Sequence, residues 1–366
     1  MIFSESDRES MARSIRFTYP VAGEVNLKFG NCLIRVQSNS GAAIAGLKQY
    51  FNLFVTTDTS EPDRVISAFQ ADDFSVPVPL TEKMPDPGKT RIKEEYADIA
   101  GGRIVRKRLT GMVFLFGGTD HIALGPCIEN LNQVINFINN RYIEWRLNRN
   151  GLLGHAAGIR LHDRGLALAG FSGMGKSTLA LHLVSRGADF ISNDRLVFEN
   201  TQTRVWMHGV AKLPRVNPGT ILNNPDLKGL LPESDYRRFS ALSRDELWSL
   251  EFKYDVPIDR FFGRDHFILS TPLAALIILN WKQTGQPAVM RRVHIEDRRD
   301  LLPAFMKSTG LFFLPDNFSQ TPDPTESAYI ELLKESPVFE ISGGVDFEAA
   351  ARACFQWTLT GEPQCS

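Results

Sequence analysis

Apolar residues recur along the chain with two periods, and where each period holds sets out the elements. Val25-Asn26-Leu27-Lys28-Phe29 and Cys32-Leu33-Ile34-Arg35-Val36 are short alternating runs, the pattern of strands with one buried face. Ile44, Leu47, Phe51 and Phe54 step by threes and fours, which predicts an amphipathic helix. Residues 1–12 carry neither pattern and are expected to fray. Pro77, Pro79, Pro85 and Pro87 crowd the stretch from Ser75 to Gly88. They predict a loop, because proline lacks the N–H that a ladder or helix requires. Arg103–Arg106 and Val113–Phe116, with Thr110-Gly111 between them, predict a hairpin. Its cluster of Arg103, Arg106, Lys107 and Arg108 is expected to be a solvated strand face.

Ile128, Leu131, Ile135, Ile138, Tyr142 and Trp145 step 3-4-3-4-3, a stripe that predicts a helix over about 128–148. The stripe is expected to pack the front domain onto the second half of the chain, in preference to forming a subunit interface. Gly151 falls just past the last periodic residue and ends the helix. Residues 1–150 are therefore expected to form a smaller α+β domain, and residues 151–366 a second one. In that second part strands and helices alternate. Ile159–His162 and Leu166–Ala169 predict strands joined through Asp163-Arg164-Gly165. Leu179, Ala180, Leu183 and Val184 predict a helix closed by Gly187. Phe190-Ile191-Ser192 is a further strand, and Leu196–Phe198 with Val205–Met207 a hairpin. Val338–Ser342 predicts a strand, and Asp346 caps a helix running through Trp357. The fold class is α/β with extra antiparallel strands.

Composition narrows the function classes. With 366 residues, 43% apolar and 23% charged, disorder is excluded as the main state. A net charge of −1 speaks against nucleic acid as a general partner, since phosphate-backbone binding needs a basic excess. The longest clean apolar run, Leu273–Leu279, is too short to span a bilayer, so no membrane is expected. Glu5, Asp7 and Glu9 stand among the first ten residues, where a secretory signal has a basic and then apolar stretch. Cys32, Cys127, Cys354 and Cys365 are scattered without a C-x-x-C. They are expected to be reduced thiols in a cytoplasmic protein.

The chemistry concentrates in Gly170-Phe171-Ser172-Gly173-Met174-Gly175-Lys176-Ser177-Thr178, a match to the phosphate loop G-x-x-x-x-G-K-[ST]. Glycines let the backbone curl so that successive N–H groups face phosphate oxygens. The following helix adds the positive end of its dipole. Lys176 is placed to reach β- and γ-phosphates, and the Ser177 hydroxyl to ligate Mg²⁺. Magnesium usually takes one or two carboxylates besides, and Asp194, at the end of the next predicted strand, is the candidate. A nucleoside triphosphate, taken as ATP with GTP left open, and Mg²⁺ are thus the expected cofactors.

Residues 154–196, G-H-A-A-G-I-R-L-H-D-R-G-L-A-L-A-G-F-S-G-M-G-K-S-T-L-A-L-H-L-V-S-R-G-A-D-F-I-S-N-D-R-L, resemble the catalytic core of bacterial HPr kinase/phosphorylase, with the subgroup HPr kinase-related kinase B the best match. The likeness is carried by His155 fifteen residues before the first loop glycine, by the G-x-S-G-x-G-K-S form, by the Arg186-Gly187 pair and by the N-D-R-L run. Leu250–Asp259, Leu276–Trp281 and Arg298–Leu301 resemble later family segments more weakly, and residues 1–150 show no such likeness. The resemblance implies an HPr kinase/PEP carboxykinase-like P-loop fold and a kinase passing the γ-phosphoryl group to a hydroxyl on a protein serine, a peptide or a small alcohol. It implies that Ser177 and Asp194 hold magnesium, that Glu251 is a further metal or active-site carboxylate, that His155 lies near the transferred phosphate, and that Arg299 is an active-site cation. It leaves a homo-oligomer open. One departure matters: the family's first of two tandem aspartates, assigned as the base, is Asn193 here, and an amide does not take up a proton as a carboxylate does. Asp194, Glu251 or His155 would take that role, or a loose transition state would need little base help. The same departure supports the alternative of a nucleotide-binding regulator with little or no transfer. The surplus chain around Asn223–Glu246 reads as an insertion beside the site, where Lys212, Arg215 and Asn217-Pro218-Gly219 would help to read a substrate.

Overall fold

The computed structural model describes residues 7–72, 74–85, 88, 90–243, 246–247, 250, 252–316 and 324–362. The chain is mixed α/β and divides into two compact units, 1–148 with 309–321, and 149–308 with 322–366.

The first unit is built on a nine-stranded sheet. Its strands are β1 (Gly23–Phe29), β2 (Cys32–Ser38), β3 (Val55–Thr56), β4 (Arg64–Gln70), β5 (Thr81–Glu82), β6 (Glu94–Ile99), β7 (Gly102–Lys107), β8 (Val113–Phe116) and β9 (Asp120–Gly125). They lie in the order β3-β1-β2-β4-β9-β8-β7-β6-β5. β2, β4 and β9 run parallel, and the remaining neighbours are antiparallel. The predicted hairpin is β7–β8. Its basic cluster is not simply solvated: strand β6 sets Asp98 opposite Arg103, Glu95 opposite Arg106 and Glu94 opposite Lys107, and Arg108 pairs with Glu82 of β5. The described part of the proline-rich stretch, residues 75–85, is a loop apart from the two-residue β5, and Pro87 lies outside the described residues.

Helix α1 (Arg8–Thr18) stands where fraying was expected. The Asp7 carboxylate accepts the Ser10 N–H at 2.9 Å, an N-cap worth about 1 kcal/mol. Met11, Ala12 and Ile15 are buried on one face of it. Helix α2 (Gly41–Tyr50) follows β2 as the threes and fours predict, with Ser40 as N-cap. Helix α3 (Leu131–Leu147) starts later than the stripe suggests and is buried on nearly all sides. Ile128, outside it, is exposed. The contacts of the stripe lie within this unit: Tyr142 packs edge-on against Phe29, and the Trp145 indole N–H donates to Asp63. Ile135, Ile138, Tyr142 and Trp145 of the stripe are buried and help to fill this unit's own core.

Residues 309–321 depart from the expected second domain. Phe312 packs on Phe114 and Phe116 at 5.4 and 5.6 Å, and its carbonyl accepts from the buried Arg141. Glu144 pairs with Arg141 at 2.7 Å and accepts the Leu314 N–H at 3.0 Å. A buried ion pair thus draws the returning segment into this unit, because each charge must have its partners to be tolerated away from water.

His121 is buried with neither ring nitrogen hydrogen-bonded among the described residues. Burial, with the charges of Arg141, Arg64, Arg8 and Arg16, pushes its imidazole well below the ordinary value. The native state therefore holds it neutral, while the unfolded chain takes up a proton below about pH 6.5. Stability is expected to fall as pH drops below that value, with a slope approaching one proton. Urea unfolding between pH 7.5 and 5.5 checks this. His121→Phe should flatten the slope, and an unchanged slope would refute the assignment.

The second unit contains β10 (Leu152–Gly154), β11 (Ala156–Leu161), β12 (Arg164–Gly170), β13 (Asp189–Ser192), β14 (Leu196–Asn200) and β15 (Val205–His208). It continues with β16 (Arg215–Val216), β17 (Tyr254–Asp255), β18 (Ser270–Leu279), β19 (Val289–Val293) and β20 (Val338–Ser342). The main sheet runs β10-β14-β15-β18-β12-β11-β13, with β20 beside β18 and β19 beside β20. β18 is its spine, parallel to both β12 and β20. Ala275–Leu279 are fully buried, which accounts for a continuous apolar run in place of alternation. The β11–β12 turn is His162-Asp163, both at positive φ of 48° and 59°, and Arg164 and Gly165 already belong to β12. Helix α4 (Lys176–Val184) and the C-terminal helix Phe347–Thr360 complete this core. The Asn223–Glu246 surplus includes the helix Glu233–Ser240. Cys127 and Cys354 are buried thiols that burial pushes up to about 12, which leaves them unreactive. Cys365 lies outside the described residues. Among the described residues no helix is long and apolar enough to cross a membrane.

Candidate functional site

Strand β12 delivers the chain to Gly170, opposite Leu279 in the parallel register with β18. The next five residues turn back into α4, which is the strand–loop–helix setting a phosphate loop requires. Gly173 and Gly175 sit at φ 84° and 86°, a region L side chains rarely adopt. At Gly175 space adds to conformation, since a Cβ would lie 2.5 Å from the Phe347 ring. The Trp281 indole N–H donates to the Met174 carbonyl at 3.0 Å, and its ring meets Phe347 edge-on at 5.0 Å. Trp281 and Phe347, from beyond β18 and from the C-terminal helix, thus bracket the loop from behind. The first residue of the C-terminal helix thus supports the loop. Phe171 and Ser172 are exposed on the loop's outer side.

Lys176 opens α4 and is only 8% exposed. Its ammonium donates to the Gly170 carbonyl at 2.7 Å and to that of Phe171 at 3.4 Å. Burial pushes it down to about 8, with Lys307 and Lys253 adding to the lowering and Asp194 opposing it. No side chain caps the start of α4, and no acid stands in its first turn, so its N–H groups remain for an anion. Ser177 is half-buried, and its hydroxyl has no hydrogen-bond partner among the described residues. Thr178 behaves differently: its hydroxyl meets that of Thr220 at 2.8 Å, bracing α4 against the helix Pro218–Leu222.

Asp194 lies in the turn between β13 and β14, which the Ser192 hydroxyl closes by donating to the Arg195 carbonyl. One carboxylate oxygen is 3.1 Å from His155 Nε2, and the His155 backbone is held by the Phe305 carbonyl at 2.7 Å. Burial alone would raise this carboxyl. The hydrogen bond and charge of His155, with Lys307 and Arg195, outweigh it and hold the group well below the usual carboxylate range. The Asn193 side-chain oxygen is buried and has no partner among the described residues. Lys212 is also pushed down, by burial and by Arg195 and Arg215, while Asp194 and Asp255 pull the other way. Arg215 itself pairs with Asp255 at 3.1 Å.

The structure brings His155, Lys176 and Asp194 into one electrostatic neighbourhood. Lys307 and Lys253 join it, and no spacing in the sequence singles them out. Glu251 lies outside the described residues. Arg299 is exposed, with its guanidinium 3.4 Å from the Glu296 carbonyl, and among the described residues no contact ties it to the loop. Its neighbour Arg298 is the one that reaches inward. It pairs with Glu340 at 2.6 Å, and Glu340 accepts from Asn280 directly after β18.

Among the described residues no cluster of three or more His, Cys, Asp or Glu could hold a metal alone. What is present fits a magnesium ion arriving with a nucleotide. Ser177 offers an uncommitted hydroxyl, Asp194 an ionised carboxylate and Asn193 an unpartnered buried oxygen beside it, and phosphates supply the remaining ligands.

No known protein-family profile matches the chain, and no curated protein matches it in sequence. Solved structures similar to it include the Hpr(Ser) kinase/phosphatase from Coxiella burnetii, with a TM-score of 0.29 and 12% identity, covering 57% of this chain and 95% of that one. A likeness at that level sets no constraint on the fold or activity of this chain.

Proposed function

We propose that the chain is an ATP- and Mg²⁺-dependent kinase that passes the γ-phosphoryl group to a hydroxyl. The observation that carries the reading is the loop itself: two left-handed glycines and the buried ammonium of Lys176 at an uncapped helix start, with ionised Asp194 in electrostatic reach. The sequence resemblance of residues 154–196 to HPr kinase/phosphorylase supports the choice of transfer to a hydroxyl.

In this mechanism the loop N–H groups and the first turn of α4 hold the phosphate oxygens, and Lys176 neutralises charge that develops toward the leaving oxygen. Ser177 and Asp194 would hold the magnesium, which supplies further neutralisation of the phosphates when bound. Asn193 does not serve as base, and the His155–Asp194 pair replaces it. With Nε2–H donated to Asp194, the other imidazole nitrogen is left to accept the proton of the incoming hydroxyl. Trp281 and Phe347 keep the loop's shape, so little reorganisation is needed at the moment of reaction.

Incubation with γ-labelled ATP and a lysate of the source organism tests this. Label transferred to an acceptor is expected. Tight ATP binding without labelled acceptor or released phosphate would replace the kinase by a nucleotide-sensing regulator, the second reading that Asn193 favours.

A further inference from the structure

We propose that the first unit carries a separate binding site for a small organic anion with a ring-sized apolar body. A cleft of about 750 Å³ lies in this unit, and none of its lining residues belongs to the phosphate loop. Its size is that of a small-molecule site, on the order of 300–1,000 Å³.

Three kinds of surface converge on the cleft. One wall is cationic: Arg91, Lys93, Lys107 and Arg108 line it against a single carboxylate, Glu94. Lys107 is paired with that Glu94, and Arg108 with Glu82. Arg91 and Lys93 are exposed and have no ion pair among the described residues. Two positive charges on this wall are therefore left for a ligand, and the surplus selects an anion.

The floor is aromatic. Phe114 and Phe137 lie 4.8 Å apart between centroids, and the half-buried Phe312 packs on both. The Lys107 ammonium stands 4.9 Å from the centre of the Phe312 ring. Paired with Glu94 and set over the ring, it is fixed as part of the wall, and Arg91 and Lys93 are left to meet an acid group. Leu109 lines the same cleft and is 77% exposed, extending the apolar surface beyond the floor.

The third surface is a row of amides. Gln133, Asn136 and Asn140 recur at helical spacing on α3 and all line the cleft. The Gln133 amide is fixed by donating to the Thr110 hydroxyl at 2.9 Å. Amides offer donors and acceptors together, which suits recognition of neutral polar groups on the ligand body. Cations for an acid group, a ring-lined floor and an amide row are the parts of a polar-headed, flat-bodied ligand site.

The test uses 1-naphthoate titrated calorimetrically into the full chain, with 1-naphthol and acetate as the two partial probes. Saturable one-site binding is expected, at least about tenfold tighter than either partial probe. The exposed double variant Arg91→Glu/Lys93→Glu should weaken it by about tenfold or more, Leu109→Asp should weaken it too, and Lys176→Met should leave it unchanged. Equal binding by the double variant, loss in Lys176→Met, or no saturation at about 10 mM would overturn the proposal. Because the lining residues and the loop residues do not overlap, failure here leaves the kinase reading standing, and failure of ATP binding leaves this site standing.

Discussion

Lys176→Met is expected to lower γ-phosphoryl transfer by roughly 10²–10³-fold while the protein stays folded. The substitution keeps the buried stem and removes the ammonium of a residue that is 8% exposed, an ammonium held among the described residues by the Gly170 and Phe171 carbonyls. A charge in so dry a position acts on phosphate oxygens with little screening. The same burial supplies a second readout. The free protein's ammonium is pushed down to about 8, so the charged form that attracts phosphate is progressively lost as pH rises through that value. Affinity for MgATP should therefore fall above pH 8 in the wild type, while Lys176→Met shows no such fall. Bound phosphate favours the ammonium and moves its titration upward, so the decline reports the free protein. Calorimetric Kd values from pH 6.5 to 9.5 check the sign, and a flat wild-type profile would contradict the role given to this group.

Asp194→Asn should reduce magnesium-dependent transfer by at least about 10²-fold and raise the magnesium concentration needed for half-maximal rate. The carboxylate is asked to do two things, to ligate the metal through one oxygen and to orient His155 through the other, 3.1 Å from Nε2. An amide of the same shape weakens both and leaves the turn closed by Ser192 intact. Because the carboxyl is held well below the usual range, it remains ionised at pH 5, and the magnesium requirement should persist there. A magnesium titration of initial rates separates this account from a structural one. A variant with lower rate and an unchanged magnesium requirement would deny Asp194 its place at the metal, and full activity would deny it both roles.

The parts of the site that lie within one strand–loop–helix were legible in the sequence because their physics is local. Gly173 and Gly175 meet a φ requirement, Lys176 and Ser177 follow at fixed offsets, and Asp194 stands in the turn just after the next strand. What converges from afar was not legible. Trp281 and Phe347 support the loop through an indole hydrogen bond and a ring edge, yet each is an ordinary apolar residue in its own segment. Lys307 and Lys253 join the neighbourhood only once the chain has folded. Thr178 fits the motif as a phosphate ligand, but its hydroxyl meets Thr220 instead, a partner 42 residues away.

In the first unit the pattern failed where polar residues do structural work. Strand β6 reads Glu94-Glu95-Tyr96-Ala97-Asp98-Ile99, without clean alternation, because its acids answer the cations of β7 directly opposite. β4 was hidden for a related reason: Arg64 and Ser67 are polar yet buried in it. Helix α1 depends on a single cap and one apolar face. Segment 309–321 joins this unit through Phe312 and the Arg141–Glu144 pair, contacts more than 160 residues apart in the chain.

Calorimetric titration of MgATP into the folded wild-type chain and into Lys176→Met bears most directly on the phosphate loop. A saturable heat with a submillimolar Kd, at least about tenfold weaker in the variant, is the predicted result. No heat of association with folded wild type at millimolar MgATP, or equal affinity in the two proteins, would contradict it.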